Sequence, residues 1–434
     1  MEWTRLLSTA RWGRRAGTSP RAKDFDVEDD RTPFDRDYGR ILYSSAFRRL
    51  QDKTQVFPIG RNDYVRTRLT HSLEVAHVGA SLGRIVGEKL IARHADLQAR
   101  GFRPSHFASI VSAACLAHDI GNPPFGHFGE DAIEAALAHE KIFRKFEGNA
   151  QGFRLLTRTG DPMAGKGLKL TAAVLAAFMK YPCTEDFSKS VKDKISARKF
   201  GFIDDDIEAA RFVAEQTGLT PLADDGTKIA WARHPLAFLT EAADDISYLV
   251  ADIEDAFISK IISFDAVREF LFPFVPSAAR SRAEKIAVAE SEESAVRYVR
   301  AIAVGSGIHE VCRVFLSRED ALLSGTQNAS MLEDSAFADA AKKLRRFSFD
   351  KIYNAPTVIE IELMGFRVVE ALVGFFFEWV RDPHSEKGRK IALVLDGEKF
   401  SDASESVRLL HLLDAVSAMT DSFALATYRH LHGD

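Results

Sequence analysis

The stretch LAHDIGNPPFGHFGE, residues 116–130, begins with two adjacent side chains that can bind a metal ion. His118 offers an imidazole and Asp119 a carboxylate, and both groups suit a divalent cation. A histidine at a helix end can also be a simple charge partner of the helix dipole. The pair alone therefore suggests a metal site but does not establish one.

The same stretch continues with a pair suited to proton transfer. Pro123 and Pro124 stop the first helix, and His127 and Glu130 follow three residues apart at the start of the next helix, on one face. A carboxylate at that spacing can fix the tautomer of an imidazole that moves a proton. The stretch predicts a metal pair and a proton-transfer pair on opposite sides of a helix break.

A cation held by two side chains needs further ligands, and two other stretches can supply them. His71 stands at the start of a helix beside Arg68 in RTRLTHSLEV. In EAADDISYLVADIEDA, Asp244, Tyr248 and Asp252 are four residues apart, so they share one face of a helix in otherwise apolar sequence. Burying three such groups on an inward face costs too much unless a ligand or metal meets them.

The other acidic residues of that helix, Asp245, Glu254 and Asp255, are predicted to lie on its solvated side. Some charged residues can also be explained by their position at a helix start or end, with no role in catalysis or binding. Arg68 can be a surface charge at a helix start, and Lys180, before Tyr181 and Pro182, can be a partner of a C-terminal helix dipole.

The elements that must position these residues are predicted to be helices. Apolar positions recur with the 3.6-residue period over most of the chain, for example in residues 71–90, 238–257 and 368–380. Residues 12–39 lack this pattern and are predicted to form a surface arm or ordered loop. Residues 55–65, with turn residues Gly60 and Asn62, are predicted to form at most a short hairpin.

Composition narrows the class of protein. The chain has 434 residues, of which 46% are hydrophobic, so it can bury a large core. Its net charge of -4 argues against a protein that mainly coats nucleic acid or anionic membrane. Cys115, Cys183 and Cys312 form no paired motif and are read as reduced core residues. With no secretory signal pattern and no span of bilayer length, a cytoplasmic protein is expected.

Five motifs in order resemble those of the deoxyguanosinetriphosphate triphosphohydrolase family, within the HD phosphohydrolase superfamily. They are RILYSSAFRRLQDKTQVF, THSLEV, AHDIGNPPFGHFGE, LTAAVLAAFMKYP and EAADDISYLVADIEDA. The resemblance runs from about residue 35 to residue 256, with a fainter match in VIEIELMGFRVVEALV. Five motifs in sequence are specific, whereas an HD dipeptide alone is not.

The resemblance implies a role for each matching residue. It implies that the metal is held by His71, His118, Asp119 and Asp244. It implies that His127, supported by Glu130, is catalytic. It implies substrate contacts from Arg68 and Lys180 to the triphosphate and from Gln55, Tyr248 and Asp252 to the deoxyribose. Asn122 stands where some HD enzymes carry a further histidine, which disfavours sites that use that histidine for a second metal.

The expected architecture is an all-α, HD-domain helical fold with additional C-terminal helices and at most a short β-hairpin. We expect an N-terminal arm over 1–34, an HD catalytic core over 35–255 and a C-terminal helical region over 256–434 packed on the core. The expected reaction is metal-dependent hydrolysis of dGTP or other deoxynucleoside triphosphates (dNTPs) to deoxynucleoside plus tripolyphosphate. Two alternatives stay open: another HD-type nucleotide phosphohydrolase (phosphodiesterase or nucleotidase), or a nucleotide-sensing or single-stranded-DNA-binding regulator with the same fold.

The expected cofactor is a divalent metal ion. Mg²⁺ or Mn²⁺ is expected in use, and the mixed histidine and carboxylate shell could also hold iron, nickel, cobalt or zinc. The expected partners are a dNTP substrate and further copies of the chain in a homo-oligomer. A dNTP effector or single-stranded DNA is also considered, and no membrane is expected.

Overall fold

The computed structural model describes residues 1–13, 30–57, 64–159, 167–191 and 193–433. The predicted all-α fold is confirmed, because these residues form twenty-one α-helices and one small antiparallel sheet. The helices up to residue 258 are α1 (Trp3–Leu6), α2 (Pro33–Leu42), α3 (Ser45–Arg49), α4 (Arg68–Arg93), α5 (Ala95–Ala99), α6 (Pro104–Ala117), α7 (His127–Leu137), α8 (Gly148–Arg154), α9 (Ala172–Phe178), α10 (Glu185–Ser190), α11 (Ile207–Thr217) and α12 (Pro235–Ile258).

The remaining helices belong to the C-terminal part of the chain. They are α13 (Phe264–Phe270), α14 (Ser277–Ala289), α15 (Glu292–Ser317), α16 (Glu319–Ser324), α17 (Ala338–Phe347), α18 (Pro356–Arg381), α19 (Glu386–Val394), α20 (Glu405–Ser417) and α21 (Asp421–His432). The sheet pairs β1 (Pro221–Asp224) with β2 (Ile229–Trp231). Short π-helical turns occupy Leu155–Thr159 and Ser348–Tyr353.

Local sequence explains where the site-bearing helices begin. The side chain of Thr67 accepts a hydrogen bond from the Thr70 backbone N–H and caps α4 one residue before Arg68. Pro104 and Pro235 occupy the first positions of α6 and α12, where a missing N–H costs nothing. The helices that carry the predicted metal residues therefore start at positions that the sequence dictates.

Close packing of α4 against α6 holds two of the predicted metal residues near each other. A Cβ atom at Gly83 of α4 would fall 2.6 Å from the backbone oxygen of Phe107 in α6, so only glycine permits this approach. His71 lies in the first turn of α4, and His118 directly follows the end of α6. The tight pairing brings one helix start and one helix end together.

Three apolar clusters make up the core of the described residues. The largest surrounds α4, α6 and α9, the second lies between α12 and α15, and the third joins α7 to α18 and α20. In the third cluster, Ile133 and Leu137 pack with Val369 and Phe376. The C-terminal helices therefore rest directly on the helix that carries His127.

One prediction near the N-terminus needs correction. Residues 33–39 are not a loop, because Pro33–Leu42 forms α2 with a capping box between Thr32 and Asp35. Trp3, close to the start of the chain, is buried in the largest apolar cluster.

The predicted hairpin over residues 55–65 stays a prediction. The observed hairpin is formed by β1 and β2, whereas the predicted tip, residues 58–63, falls outside the described residues. A single bridge between Thr54 and Thr67 brackets that segment.

The prediction that Asp245, Glu254 and Asp255 face solvent is wrong, because all three are buried. Helix α12 is packed against α4, α6, α9 and α15, and a helix enclosed in this way has no solvated face. The guanidinium of Arg66 donates hydrogen bonds to Glu254 Oε2 at 2.5 Å and to Asp255 Oδ1. The positive charge of Arg66 therefore offsets the loss of water around these two carboxylates.

Two further predictions are confirmed. The apolar run 368–380 lies within α18, whose core-facing residues are buried. Cys115, Cys183 and Cys312 are buried free thiols. Among the described residues, no single helix is long and apolar enough to cross a membrane; α20 and α21 pass that test only together, and they are bent by 114°.

Replacing Arg66 with alanine should destabilise the protein strongly, since Asp255 would be left as an unpaired buried charge and Glu254 would keep Arg300 as its only cation among the described residues. We expect a loss of about 3–5 kcal/mol in the free energy of unfolding, measured by urea denaturation. The control is Arg268→Ala, which removes an exposed pairing with Asp265 and Glu284 and should cost about 0–1 kcal/mol. Equal losses for the two variants would contradict the burial argument.

Candidate functional site

A cavity of about 670 Å³ gathers nearly all of the predicted site residues. Its walls come from α4, the turn after α6, the end of α9, α12 and the segment 349–362. The predicted residues that line it are Gln55, Arg68, His71, His118, Asp119, His127, Lys180, Asp244, Tyr248 and Asp252. Glu130 is outside the lining and contacts His127 instead.

Four of these residues form a cluster that could hold a cation. Donor atoms of His71, His118 and Asp119 all lie within 4.8 Å of one another. Asp244 Oδ1 lies 3.1 Å from Nε2 of His71 and 3.5 Å from Nε2 of His118. Two imidazoles and two carboxylates around one point match the donors that divalent metals take in proteins.

The orientation of His118 favours metal binding. Its Nδ1 lies 2.7 Å from the backbone oxygen of Cys115, which can only accept a hydrogen bond. The proton therefore sits on Nδ1, and the lone pair of Nε2 faces the cluster. Metal-binding histidines in proteins usually have this arrangement.

Helix phase distinguishes the two neighbouring aspartates of α12. Asp244 faces His71 and His118, whereas Asp245 Oδ2 pairs with Arg345 at 3.0 Å. The structure thus places Asp244 in the cluster, as the spacing of the sequence predicts, and turns Asp245 away from it.

Neighbouring charges keep the carboxylates of the cluster ionised. Burial raises the pKa of Asp119, but the charges of His118, Arg68 and His71 outweigh it and bring the pKa below its usual range. Arg68 donates to Asp119 Oδ2 at 2.8 Å, and Asn122 donates to Oδ1 at 2.6 Å. Burial lowers the pKa of His71, yet the hydrogen bond and charge of Asp244 reverse the shift and raise it.

His127 and Glu130 form a separate pair beyond the proline break. His127 Nδ1 lies 3.4 Å from Glu130 Oε2, and Glu130 Oε1 accepts from the Gly148 backbone N–H at 3.0 Å. Burial raises the pKa of Glu130, but the hydrogen bond and charge of His127 and the charge of Lys199 lower it overall. An ionised Glu130 holds the proton on Nδ1 and leaves Nε2 of His127 available to the cavity.

Positive side chains line the cavity near the cluster. Lys180 Nζ lies 3.3 Å from Glu241, and although burial lowers its pKa, the charge of Glu241 raises it overall. Lys199, which the sequence reasoning missed, also lines the cavity and contacts Glu147 at 3.2 Å. With Arg68, these residues give the cavity three cations for an anionic ligand.

Tyr248 and Asp252 are held by residues that the sequence reasoning did not identify. Arg345 Nε donates to the Tyr248 hydroxyl at 2.7 Å, and the Tyr353 hydroxyl donates to Asp252 Oδ2 at 2.5 Å. Burial raises the pKa of Asp252 to about 7, although the Tyr353 hydrogen bond lowers it. The only local signal for these partners is the basic run KKLRR followed by FSFDKIYNAP.

The cavity lining also includes apolar side chains. Val56, Phe349, Val358 and Ile361 line the cavity together with Asn354 and Glu362. Gln55 also lines the cavity, and its Oε1 is buried without a hydrogen-bond partner in the described part of the chain. Such an unpaired acceptor is costly unless a ligand meets it.

Comparisons with known proteins agree with this geometry. The HD domain model matches residues 68–163, and the phosphohydrolase-associated domain model matches residues 333–430. A deoxyguanosinetriphosphate triphosphohydrolase-like protein of Synechocystis sp. is 39% identical over 100% of this chain and 99% of its own length. A protein of the same name from Pseudomonas aeruginosa is 33% identical over 100% and 99%, respectively. A deoxyguanosinetriphosphate triphosphohydrolase of Yersinia pestis is 30% identical over 96% of this chain and 97% of its own.

Replacing Asp244 or Asp245 with asparagine should show which of these two adjacent aspartates belongs to the metal cluster. Asp244→Asn removes an anionic donor and should lower the retained divalent metal at least about tenfold. Asp245→Asn is the matched control and should keep the metal, as should His127→Ala. Metal content after dialysis is measured by mass spectrometry. Loss of metal in Asp245→Asn but not in Asp244→Asn would contradict this assignment.

Proposed function

Because the chain belongs to the deoxyguanosinetriphosphate triphosphohydrolase family of HD-domain phosphohydrolases, we propose that it hydrolyses dNTPs to deoxynucleoside and tripolyphosphate. In this reaction, water adds to the α-phosphorus and the bond from that phosphorus to the 5′-oxygen breaks. The proposal rests on one observation: a single cavity contains the cluster of two histidines and two aspartates that could hold a cation, three positive side chains, and Tyr248 and Asp252.

His71, His118, Asp119 and Asp244 are proposed to hold the metal. When bound there, Mg²⁺ or Mn²⁺ supplies Lewis-acid polarisation of the α-phosphoryl group. Arg68 would then lie next to the same group, because it already contacts Asp119. These residues place positive charge where negative charge develops during the reaction.

Lys180 and Lys199 are proposed to hold the rest of the triphosphate. Their ammonium groups line the same cavity, and their ion pairs in the described structure are with buried glutamates: Glu241 for Lys180, and Glu147 and Glu130 for Lys199. An incoming polyphosphate can share these cations, and charge-assisted hydrogen bonds of this kind are strong. The overall negative charge of the chain therefore does not prevent binding.

His127 is proposed to transfer a proton through Nε2, either to the departing 5′-oxygen or from the attacking water. Its side chain is 73% exposed, so it can reach substrate and solvent, while Glu130 behind it is buried. Glu130 keeps the proton on Nδ1 and stabilises the imidazolium when it forms.

The deoxyribose is proposed to lie against Tyr248, with its 3′-hydroxyl donating to Asp252 and contacting Gln55. Tyr248 is one helical turn after Asp244, so the sugar would lie beside the cation. The Tyr248 ring is anchored through its hydroxyl by Arg345 and cannot move aside easily. A 2′-hydroxyl would therefore be disfavoured.

Product analysis tests the proposed reaction. Each dNTP and GTP is incubated with the protein and Mn²⁺, and the products are resolved by ion-exchange chromatography. We expect tripolyphosphate, with GTP hydrolysed at least about tenfold more slowly than the best dNTP because the sugar pocket rejects the 2′-hydroxyl. Tyr248→Ala should relax this preference.

Asp244→Asn is the control that assigns the products to this site, and it should form none. Release of pyrophosphate or monophosphate instead of tripolyphosphate would indicate another phosphohydrolase reaction. Absence of turnover in the metal-loaded protein would favour a nucleotide-binding regulator. Equal rates on dGTP and GTP would remove the sugar assignment.

The KM for the substrate should depend on pH through Asp252. The carboxyl is ionised above its pKa of about 7 and accepts strongly from the 3′-hydroxyl, whereas below it the protonated form accepts more weakly. The KM should therefore rise roughly 3- to 10-fold as the pH falls through this value. Tyr353→Phe removes a hydrogen bond that lowers the pKa, so the rise should begin at higher pH. In Asp252→Asn the same change should be absent, and a pH profile like the parent's would refute the assignment.

A further inference from the structure

One buried carboxylate in the C-terminal helices holds two chain segments beside the cavity. Asp421, the first residue of α21, accepts from the Phe125 backbone N–H through Oδ1 at 2.8 Å. Its Oδ2 accepts from the Thr54 backbone N–H at 2.8 Å and from the Thr54 hydroxyl at 2.6 Å. Three hydrogen bonds to one carboxylate link the last helix to the segment before Gln55 and to the turn before His127.

The turn held by Asp421 has an unusual backbone. Phe125 has φ +60°, in the left-handed region that a non-glycine residue rarely occupies, and Gly126 follows with φ +61°. Such a conformation persists only when its surroundings impose it. Helix α7 begins at His127, immediately after these two residues. The backbone of Phe125 therefore decides how His127 enters the cavity.

The Phe125 ring is also held by the C-terminal helices. A Cβ atom at Gly365 of α18 would fall 2.4 Å from this ring, so the ring fills the space that glycine leaves. The same region thus holds both the side chain and the N–H of Phe125.

A second link runs parallel to the first. Lys53 is buried, and its Nζ donates to the backbone oxygen of Asn122 at 2.5 Å and to that of Ser417 at 2.7 Å. Ser417 ends α20, four residues before Asp421. The joint between α20 and α21 is therefore tied twice to the turn that separates Asp119 from His127.

We propose that Asp421 is a positioning residue, which orients His127 by holding the strained backbone of Phe125. The inference rests on the proposed function, because it takes His127 as the group that transfers the proton. It assigns the C-terminal helices a part in the reaction although none of their contacts with the turn reaches a reacting atom.

Asp421→Asn tests this with little change in shape. An asparagine has one acceptor oxygen, and its NH₂ group would face either the Phe125 or the Thr54 N–H, donor against donor. We expect kcat to fall about 10- to 100-fold through misplacement of His127, with KM and metal content within about twofold of the parent.

The matched control is Asp414→Asn in the neighbouring helix α20. Asp414 accepts from Gln151 at 2.8 Å and from Arg154 at 2.9 Å and forms no hydrogen bond or ion pair with residues 122–126. The Asp414→Asn variant should have a lower melting temperature than the parent but the same kcat. An equal fall of kcat in both variants would show a general loss of structure and overturn the proposal.

The double variant His127→Ala/Asp421→Asn shows whether Asp421 acts through His127. If it does, Asp421→Asn lowers kcat in the parent but not further in the His127→Ala background, since residues that act as a unit are not additive. A further fall in that background, or a parental kcat for Asp421→Asn alone, would overturn the positioning role. If Asp421→Asn does not fold, Gly365→Ala displaces the Phe125 ring with Asp421 intact and should give the same non-additive loss.

Failure of the two inferences can be told apart. If His127→Ala loses turnover but neither Asp421→Asn nor Gly365→Ala does, only the positioning role fails. If His127→Ala hydrolyses dNTPs at the parental rate, the proposed role of His127 fails, and the positioning role falls with it.

Discussion

The burial of acidic side chains along α12 is the constraint on which the rest of the site depends. A charge taken out of water is costly unless an opposite charge or a donor meets it. The acids of this helix other than Asp244 have partners from before and after it in the chain: Arg233 and Lys180 for Glu241, Arg345 for Asp245, Tyr353 for Asp252, Arg66 for both Glu254 and Asp255, and Arg300 for Glu254 as well. The need to pair each buried acid fixes where the surrounding segments lie against α12.

Like Asp252, Asp244 differs from the other acids of α12 because no arginine or lysine forms an ion pair with it in the described structure. Its closest partners are the imidazoles of His71 and His118, which can exchange a proton for a metal ion. Arginine and lysine therefore pair with Glu241, Asp245, Glu254 and Asp255, whereas the two acids that are proposed to bind metal or substrate have histidine or tyrosine partners. The acids that pair with cations and the acids that are proposed to take part in the reaction therefore occupy different positions of α12.

Features that depend on neighbouring residues in the sequence could be predicted better than contacts between distant segments. The four-residue spacing of Asp244, Tyr248 and Asp252 located one wall of the cavity, because helix geometry alone sets that face. Periodicity could not show that α12 is enclosed on its other sides, so Asp245 and its neighbours were misplaced. Arg345 and Tyr353 could not be identified either, since they approach from about a hundred residues away and a basic run such as KKLRR does not show which carboxylate or hydroxyl it contacts. The helix over 33–42 could have been predicted from the Thr32–Asp35 capping box.

The Asn-Pro-Pro break has a physical reason in the different burial of the two histidine pairs. In the pair before the break, the side chain of His118 is 15% exposed and Asp119 is buried, as suits groups that must hold an ion away from water. His127 has to exchange protons with substrate or solvent, and its side chain is 73% exposed. A continuous helix from His118 would give His127 an orientation set by helical phase alone. The break and the left-handed turn at Phe125 and Gly126 free it from that phase, and the C-terminal helices then supply the restraint that the helix no longer provides.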